Sequence, residues 1–528
     1  MKLSNVDNSF CCFFNLKQLF YISMRTVKEL ISLMDSPSNE DKKLINKAYD
    51  FAQKAHSRQL RYSGEPYFNH SYETGKNLAL LGMGAVVITA GLLHDVIEDA
   101  DIKKEIIEKE FGEEILFLIQ GITKLGKIRF HGLKRHVESL RKLFIASSQD
   151  IRVIIIKLAD RVHNMETLQY VPKEKQLRIA TETLEIFAPL AYRLGMGILN
   201  RKLEDLSFPF IYPKEYEKVI EIIKEKNNED IELLKKVSRT IIKKLAKEGI
   251  TNIKTDYRKK GSYSLYRKLE RKNWDVNKIY DIFALRIIVP TVNDCYKALG
   301  IIHGFRRPMP GRIKDYIAFS KPNGYQSIHT TIFTQFGNVV EIQLRTAEMH
   351  KKAEYGIASH LSYKSNNKNS SSNNIWIKRL LPNIYKMNEN QKDKKDTATE
   401  IPTWMKKIAE GPDDVHSKEF IDELKKDFFE HRIFIFTPNG DVIDLPTDSS
   451  PIDFAYAIHS DIGDHMSGAK VYGKLVSLDT KLKNGDIVEI TTKKETAPTK
   501  KWLDIARTAD AKRHIKSSIK KQAEEDRN

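Results

Sequence analysis

The spacing of apolar residues changes along this chain, so the chain must contain more than one kind of fold. From about Glu40 to Leu206, apolar residues recur every three or four positions, in segments such as LINKAYDFAQKAH and VVITAGLLHDVIEDA. Between Ile253 and Lys364, short β-rich runs such as DIFALRIIV and VVEIQLRT alternate with helical segments. The first pattern predicts an all-α domain and the second an α+β domain.

A third pattern begins near Arg432, where four short strand-like runs are separated by the turn pairs Asn439-Gly440 and Asn484-Gly485. Such spacing is typical of a small β-grasp module. The predicted units are an N-terminal extension at 1–39, an all-α domain at 40–207, a connecting helix pair at 208–252, an α+β domain at 253–364, a linker with a helix at 365–430, a β-grasp module at 431–493 and a basic helical tail at 494–528. A length of 528 residues fits such a division, at roughly 150 residues per domain.

The composition favours packed cores and anionic partners. Hydrophobic residues make up 41% of the chain and charged residues 30%, which excludes wholesale disorder. The formal net charge of +18 attracts polyanions such as nucleotides, RNA or anionic membranes. The three cysteines, Cys11, Cys12 and Cys295, form no spaced cluster, so we expect neither a disulfide framework nor a structural zinc site and favour a reducing cytoplasm.

The N-terminal segment contains an apolar run that is interrupted by Asn15, Lys17 and Gln18. It is too short and too broken for a signal peptide or a membrane span. We interpret the residues before Met24 as a mis-assigned start, with an organellar presequence as the alternative.

Two histidines and two aspartates on the predicted helices form a first candidate site: His70, the adjacent pair His94 and Asp95, and Asp160 in KLADRVHN. Each alone could be a capping or solvated residue. Together, two imidazoles and two carboxylates suit one transition-metal ion such as manganese, with positions left for water or a phosphate oxygen.

Two further acids, Glu98 and Asp99, follow the metal pair by one helical turn. This spacing predicts that Glu98 lies over the same face, where a carboxylate could orient or deprotonate the attacking water. We expect both acids to be catalytic.

HDxxED with an upstream histidine and a downstream aspartate resembles the HD phosphohydrolase superfamily, and QLRYSGEPYFNH and LADRVHNMETL resemble the hydrolase half of RelA/SpoT proteins. The resemblance implies that the guanosine site is lined by Arg61, Ser63, Asn164 and Thr167. Tyr62 replaces the more usual lysine, and Glu166 stands where an arginine is common. Both exchanges remove positive charge, which predicts weaker phosphate binding with the metal ligands unchanged.

A second candidate site begins with DYRKKGSYSLYRKL, whose cations suit a triphosphate: Arg258, Lys259, Lys260, Arg267 and Lys268. A solvated basic face would look similar. However, Asp281 and Glu341 each lie on a run that is otherwise apolar, and carboxylates in buried strands usually need a cation. Two such acids could hold magnesium between phosphate oxygens during in-line transfer to a ribose hydroxyl.

Between these acids, the segment PGRIKDYIAFSKPNGYQSIHTTI supplies an aromatic ring and several cations. Tyr325 could stack on a base while Lys314, Lys321 and His329 face phosphates. Stacking combined with positive charge suits a guanine nucleotide.

This segment, with DCYKALGIIHG and EIQLRTAEMHKKAEYGIASHLSYK, closely resembles the RelA/SpoT synthetase domain, whose fold is nucleotidyltransferase-like. The resemblance implies magnesium and catalytic roles for Asp281 and Glu341, with Glu341 activating the acceptor 3′-hydroxyl. It implies nucleotide contacts for Arg258, Lys260, Lys268, Lys314, Lys321, Asn323, Tyr325 and His329. The basic loop Arg-Ile-Lys-Asp at 312–315 indicates the bifunctional class, and Gly261-Ser262 replaces a more usual His-Ile pair.

The β-grasp module resembles a TGS domain, a small unit associated with RNA and regulation. His459 matches a histidine that meets the tRNA acceptor end in ribosome-bound relatives, so ribosome or tRNA contact is a hypothesis, while a surface histidine would otherwise be unremarkable. Full-length relatives continue into an ACT region, so we expect no amino-acid sensing through an ACT domain.

The chain is therefore interpreted as a bifunctional alarmone enzyme of the stringent response, with HD, synthetase and TGS domains. It would transfer pyrophosphate from ATP to the 3′-hydroxyl of GDP or GTP, a GTP pyrophosphokinase activity. It would also remove that pyrophosphate, a guanosine-3′,5′-bis(diphosphate) 3′-pyrophosphohydrolase activity. The alternatives are a member dominated by one activity, and a ribosome-associated regulator with relic catalytic halves. A tRNA-tailing nucleotidyltransferase is disfavoured because its domain order is reversed.

Overall fold

The computed structural model describes residues 25–126, 150–361 and 432–525, apart from the single positions 280, 322, 336, 440, 484 and 494. The N-terminal apolar run and the predicted linker at 365–430 lie outside the described residues. Within them, no helix is both long and apolar enough to cross a membrane.

The first unit is all-α, as the sequence predicts. Its helices are α1 Val27–Ser32, α2 Asn39–Ala55, α3 Phe68–Leu80, α4 Ala85–Leu92, α5 Lys104–Phe111, α6 Glu113–Gly126, α7 Ile151–Glu166, α8 Lys173–Glu182, α9 Ala188–Arg193 and α10 Gly197–Ile211. A π-helical segment, Thr183–Phe187, joins α8 to α9. Leu30 of α1 is fully buried in the shared core, so residues 25–39 of the predicted extension contribute to this domain.

Close packing of α3 against α4 positions the first candidate site. A side chain at Gly91 would overlap Leu78, and one at Gly75 would lie 3.0 Å from Leu92. The absence of side chains at these glycines therefore lets the two helices approach, which brings the end of α4 beside the histidine of α3.

The connector is one continuous helix, α11 Pro213–Lys247. The prediction of a helix pair is wrong, because the polar run KNNED in the middle contains no helix breaker. Buried residues at helical spacing, among them Val219, Ile223, Ile241 and Leu245, pack it against the second core.

The second unit is built on a five-stranded sheet of β1 Lys254–Lys259, β2 Phe283–Val289, β3 Lys314–Asp315, β4 Ile328–Phe333 and β5 Val339–Thr346, in the order β1-β2-β5-β4-β3. Only the central pair β2 and β5 is parallel. Helices α12 Ser262–Arg271, α13 Val292–Phe305, α14 Ala347–Tyr355 and α15 Ala358–Leu361 complete it.

The two faces of this sheet differ in chemistry. Cross-strand partners Asp256, Arg286, Gln343, His329 and Lys314 form a polar row across all five strands. The alternate residues are apolar and buried, and they pack with α11 and α13: Leu285, Ile287, Ile328, Ile332, Ile342 and Leu344. The polar face is therefore the one that carries the candidate site.

The third unit contains β6 Arg432–Phe436, β7 Val442–Pro446, α16 Pro451–Ile458, α17 Ser460–Asp464, β8 Met466–Val471, β9 Lys474–Val476, β10 Val488–Thr492, α18 Lys500–Ile505 and α19 Ala509–Glu525. The basic tail is part of this unit, because Trp502 of α18 and Ile515 of α19 pack with Ile452 and Tyr456 of α16.

Candidate active sites

The first candidate site lies where α3, α4 and α7 meet. His70 is on α3 and Asp160 on α7, but α4 ends at Leu92, so His94 and Asp95 lie in the turns that follow it and the helical assignment of this pair is wrong. The Nε2 atom of His70 lies 3.1 Å from Asp160 Oδ1 and 3.4 Å from Asp95 Oδ2. His94 Nε2 lies 3.1 Å from Asp95 Oδ2 and 3.8 Å from Asp160 Oδ1.

These four residues fit a bound cation. His94 Nδ1 lies 2.8 Å from the carbonyl of Gly91, which can only accept a hydrogen bond, so Nδ1 carries a proton and Nε2 is the nitrogen that faces Asp95. The nearest ligand atoms of His70, His94 and Asp95 all lie within 4.8 Å of one another. Lone pairs that face carboxylate oxygens need a cation or a proton between them.

The pKa shifts of these residues agree with a site for a cation. Burial alone would lower the pKa of His94, but the carboxylates of Asp95 and Asp160 raise it to about 10. Burial would raise the pKa values of both aspartates, yet each lies well below its usual range, with the charge of His94 among the causes. A field that holds a proton so firmly also attracts a metal cation.

Lys157 is a neighbour of this site that the sequence did not single out. Its Nζ lies 2.6 Å from Asp160 Oδ2, while Asp160 Oδ1 faces His70. One oxygen of Asp160 is thereby paired with a lysine of the same helix, and the other faces His70.

Tyr67 is a second residue that sequence reasoning missed. Its hydroxyl lies 2.9 Å from Asp95 Oδ2 and 2.5 Å from Asp99 Oδ2, and burial together with these carboxylates raises its pKa far above the usual value. Asp99 N also donates to the carbonyl of Asp95, whereas Glu98 is half-buried in the same turn. Asp99 is therefore tied to the metal pair.

Two of the four predicted guanosine residues, Arg61 and Asn164, connect to the metal group. Arg61 donates from Nη2 to Asn164 Oδ1 at 2.8 Å, and Asn164 Nδ2 donates to Asp160 Oδ1 at 2.5 Å. Ser63 accepts a long contact of 3.5 Å from the backbone of Glu65. Thr167 caps α7 through the carbonyl of His163, which is a structural contact.

The two departures from the family pattern have different surroundings. Tyr62 has 68% of its surface exposed. Glu166 forms an ion pair with Lys202 of α10, with 2.6 Å between Oε1 and Nζ. The acidic residue thus has a partner of its own in this chain.

The second candidate site lies on the polar face of the five-stranded sheet. Asp281 precedes β2 and is not within it, so its predicted position on a strand is wrong. Its oxygens lie 2.6 Å from Lys260 Nζ and 2.5 Å from Lys268 Nζ. Burial would raise the pKa of Asp281, but the two lysines lower it to about 2.

Glu341 lies on β5, as predicted, and its charge acts on Lys260 together with that of Asp281. Its Oε1 lies 3.5 Å from His329 Nδ1, and His329 Nε2 lies 2.8 Å from the hydroxyl of Tyr325. The predicted base-stacking ring is therefore linked to the predicted catalytic acid through one imidazole.

A cavity of about 220 Å³ lies beside these contacts, and cationic side chains line it. Lys321 Nζ lies 5.1 Å from the centre of the Tyr325 ring, and burial with the charges of Lys314 and Arg258 lowers the pKa of Lys321 to about 8. Arg258 also reaches Gln343 at 3.3 Å. This wall is suited to phosphate groups.

Residues of the helical unit also line this cavity. Asn323 donates from Nδ2 to the carbonyl of Tyr192, and Arg201 of α10 forms an ion pair of 2.6 Å with Glu354 of α14. Lys314 is exposed at the edge of the sheet. We did not foresee Arg201 or Tyr192, because contacts between units leave no signal in spacing.

The pair Gly261-Ser262, which stands where His-Ile is more usual, lies beside α10. Ser262 Oγ and the backbone N of Tyr263 both donate to Asp205, at 2.9 and 3.0 Å. A side chain at Gly261 would lie 3.0 Å from the same carboxylate.

In the third unit, His459 is exposed, and its Nδ1 caps α17 by accepting from Asp461 N.

Three family models match this chain: the HD domain over residues 48–197, the region found in RelA/SpoT proteins over 257–368, and the TGS domain over 433–492. The three matched regions contain, in order, the metal-type group, Asp281 with Glu341, and His459. Divalent metals are the usual cofactors of the first two kinds of domain.

Relatives match almost the whole chain. A guanosine-3′,5′-bis(diphosphate) 3′-pyrophosphohydrolase of Aquifex aeolicus (strain VF5) is 42% identical over 483 residues, which are 91% of this chain and 65% of that protein. A GTP pyrophosphokinase of Myxococcus xanthus is 42% identical over 492 residues, 92% of this chain and 61% of that protein. The chain thus spans less than two thirds of the length of these relatives.

A solved structure, the small alarmone synthetase 2 from Bacillus subtilis, is 23% identical to this chain. The overlay covers 34% of this chain and 96% of that one, with a TM-score of 0.23, which is too low to carry an argument.

Proposed function

This chain belongs to the RelA/SpoT family, and on that premise we propose that it both makes and degrades guanosine 3′-pyrophosphates. The observation that carries the proposal is the presence of two separate acidic groups, each with its own cations. Asp95 and Asp160 face two histidines in the helical unit, while Asp281 pairs with Lys260 and Lys268 in the sheet unit, where Glu341 faces His329.

In the proposed hydrolysis, the helical site removes the 3′-pyrophosphate. A manganese ion held by His70, His94, Asp95 and Asp160 would supply a Lewis acid that lowers the pKa of water. Asp99 would accept the proton of the attacking water, because Tyr67 holds that carboxylate beside Asp95. Glu98, half-buried in the same turn, remains a candidate for this role. Arg61 and Asn164 would orient the nucleotide.

In the proposed synthesis, the sheet site positions ATP and the acceptor so that the 3′-oxygen attacks the β-phosphorus in line and AMP leaves. A magnesium ion held by Asp281 and Glu341 would neutralise charge on the transferred phosphates. Lys260 and Lys268 would turn from Asp281 towards the triphosphate, and Glu341 would accept the 3′-hydroxyl proton. Tyr325 would stack on the guanine, with Lys321 and Arg258 beside its phosphates.

One observation favours a synthetase-dominant balance as a second candidate. The nucleotide side of the hydrolase site has Tyr62 and Glu166 where the family has cations, and Glu166 occupies Lys202 as well. Fewer positive charges should raise the KM for an anionic substrate. A ribosome or tRNA contact of the TGS unit rests on the exposed His459 alone and is kept as a hypothesis.

The test is to incubate the purified chain with ATP and GDP or GTP in magnesium, and separately with the tetraphosphate in manganese, and to identify products by chromatography. Formation of the tetraphosphate or pentaphosphate in the first reaction, and release of pyrophosphate in the second, would support both halves. Failure of both reactions would overturn the proposal.

A further inference from the structure

His163 is a buried histidine between the metal group and the predicted nucleotide arginine. Its side chain is on α7, three residues after Asp160, and only 5% of its surface is exposed. Its Nδ1 lies 2.9 Å from His70 Nδ1 and 3.0 Å from Arg61 Nη1. One nitrogen therefore meets two different functional side chains.

The protons in this contact can be assigned from the partners. A guanidinium can only donate, so the Nδ1 atom of His163 accepts from Arg61 and carries no proton. His70 Nδ1 must then be a donor to the same lone pair. The proton of His70 is thus on Nδ1, which leaves its Nε2 lone pair facing Asp160 at 3.1 Å, the arrangement that a metal ligand needs.

A second path closes these contacts into a ring. Arg61 Nη2 donates to Asn164, Asn164 donates to Asp160, and Asp160 faces His70. Because His163 joins His70 to Arg61, moving any one member would disturb both the metal ligands and the nucleotide arginine.

We propose that His163 is a positioning residue of the hydrolase site, whose Nδ1 lone pair fixes the metal-binding tautomer of His70 and the orientation of Arg61 together. The proposal deepens the proposed hydrolase function and rests on it. It predicts that the affinity for metal and the affinity for the 3′-pyrophosphate nucleotide fall together when this lone pair is lost. Removing such a partner typically weakens metal binding by about 10- to 100-fold.

The test compares two variants of the full chain. His163→Phe keeps a flat ring without a nitrogen acceptor, whereas His163→Asn keeps an acceptor oxygen near the position of Nδ1. Titration calorimetry with manganese alone measures the metal affinity, and Asp95→Ala identifies the heat that belongs to this site. Pyrophosphate release gives the KM for the tetraphosphate, and synthesis by the same chain controls for folding.

We expect His163→Phe to bind manganese about 10- to 100-fold more weakly and to show a higher KM, with His163→Asn recovering much of both. Wild-type manganese affinity in His163→Phe would overturn the inference even if the wild type hydrolyses the tetraphosphate. If the wild type does not hydrolyse it, while the metal affinities follow the expected order, the proposed hydrolase function fails and only the role of His163 in positioning a metal ligand stands.

Discussion

The hydroxyl of Tyr67 lies 2.9 Å from the Oδ2 atom of Asp95. The same hydroxyl reaches Asp99, so one proton serves a proposed metal ligand and a proposed base. Tyr67→Phe should lower the rate of tetraphosphate hydrolysis by about 10- to 100-fold, because both carboxylates lose their common partner. Pyrophosphate release would be measured beside Tyr49→Phe, whose hydroxyl bonds to a backbone carbonyl elsewhere. Equal rates in the two variants would contradict this role.

Asp281 forms ion pairs with both Lys260 and Lys268. Asp281→Asn removes its negative charge and a proposed magnesium ligand, so we expect synthesis from labelled ATP and GDP to fall by at least about 100-fold. Hydrolysis should stay within about twofold of wild type. Asp294→Asn, at the cap of α13, is the matched control. Synthesis that survives Asp281→Asn would remove this residue from the site.

Tyr62→Lys restores a cation at an exposed position beside the hydrolase site. Because Tyr62 is 68% exposed, the exchange should leave the melting temperature nearly unchanged. The KM for the tetraphosphate should fall about fivefold at low salt and less at high salt, since the added attraction is screened. Tyr62→Gln separates loss of the ring from gain of charge. An identical KM in the lysine and glutamine variants would argue against a phosphate contact here.

Glu204 on α10 gives a pH-dependent prediction. Burial and the neighbouring Asp205 raise its pKa to about 7, above the usual value near 4.3. The folded chain then binds the extra proton, so this stabilising contribution is present at low pH and is lost as the pH rises from about 4.5 to 7. Glu204→Gln should raise the melting temperature at pH 8 relative to wild type and leave it similar at pH 4.5. A constant difference between the two proteins across this range would contradict the shift.

Much of the fold follows from local pattern. The repeated apolar spacing of the first unit and the apolar strands around Glu341 are visible in the sequence, because burial on one face imposes a fixed period. We did not predict strand β8, because MSGAKV contains few of the β-branched or aromatic residues that favour strands. Its pairing with β10 joins residues that are distant in the sequence. The turns that carry His94 follow a helix that ends at Leu92, and no glycine or proline stands after that residue to mark the end.

Some of the site residues could be predicted from the sequence and others could not. The metal-type histidines and aspartates stand out because polar groups within apolar elements need a reason. Tyr67, Lys157 and His163 do not stand out, since a tyrosine just before a helix, or a lysine or histidine on one, is ordinary until its partners are known. Tyr67 bonds to a residue 28 positions away and His163 contacts one 93 positions away, and spacing along a chain does not predict contacts of this kind.

The most direct test of the central claim, that one chain carries two opposed activities at separate sites, is to assay both reactions in two single variants. Glu341→Gln and Asp95→Ala would be compared with wild type for synthesis in magnesium and for hydrolysis in manganese. The account predicts that Glu341→Gln loses synthesis and keeps hydrolysis, while Asp95→Ala does the reverse. Loss of both reactions in either correctly folded variant, or wild-type activity in only one direction, would contradict it.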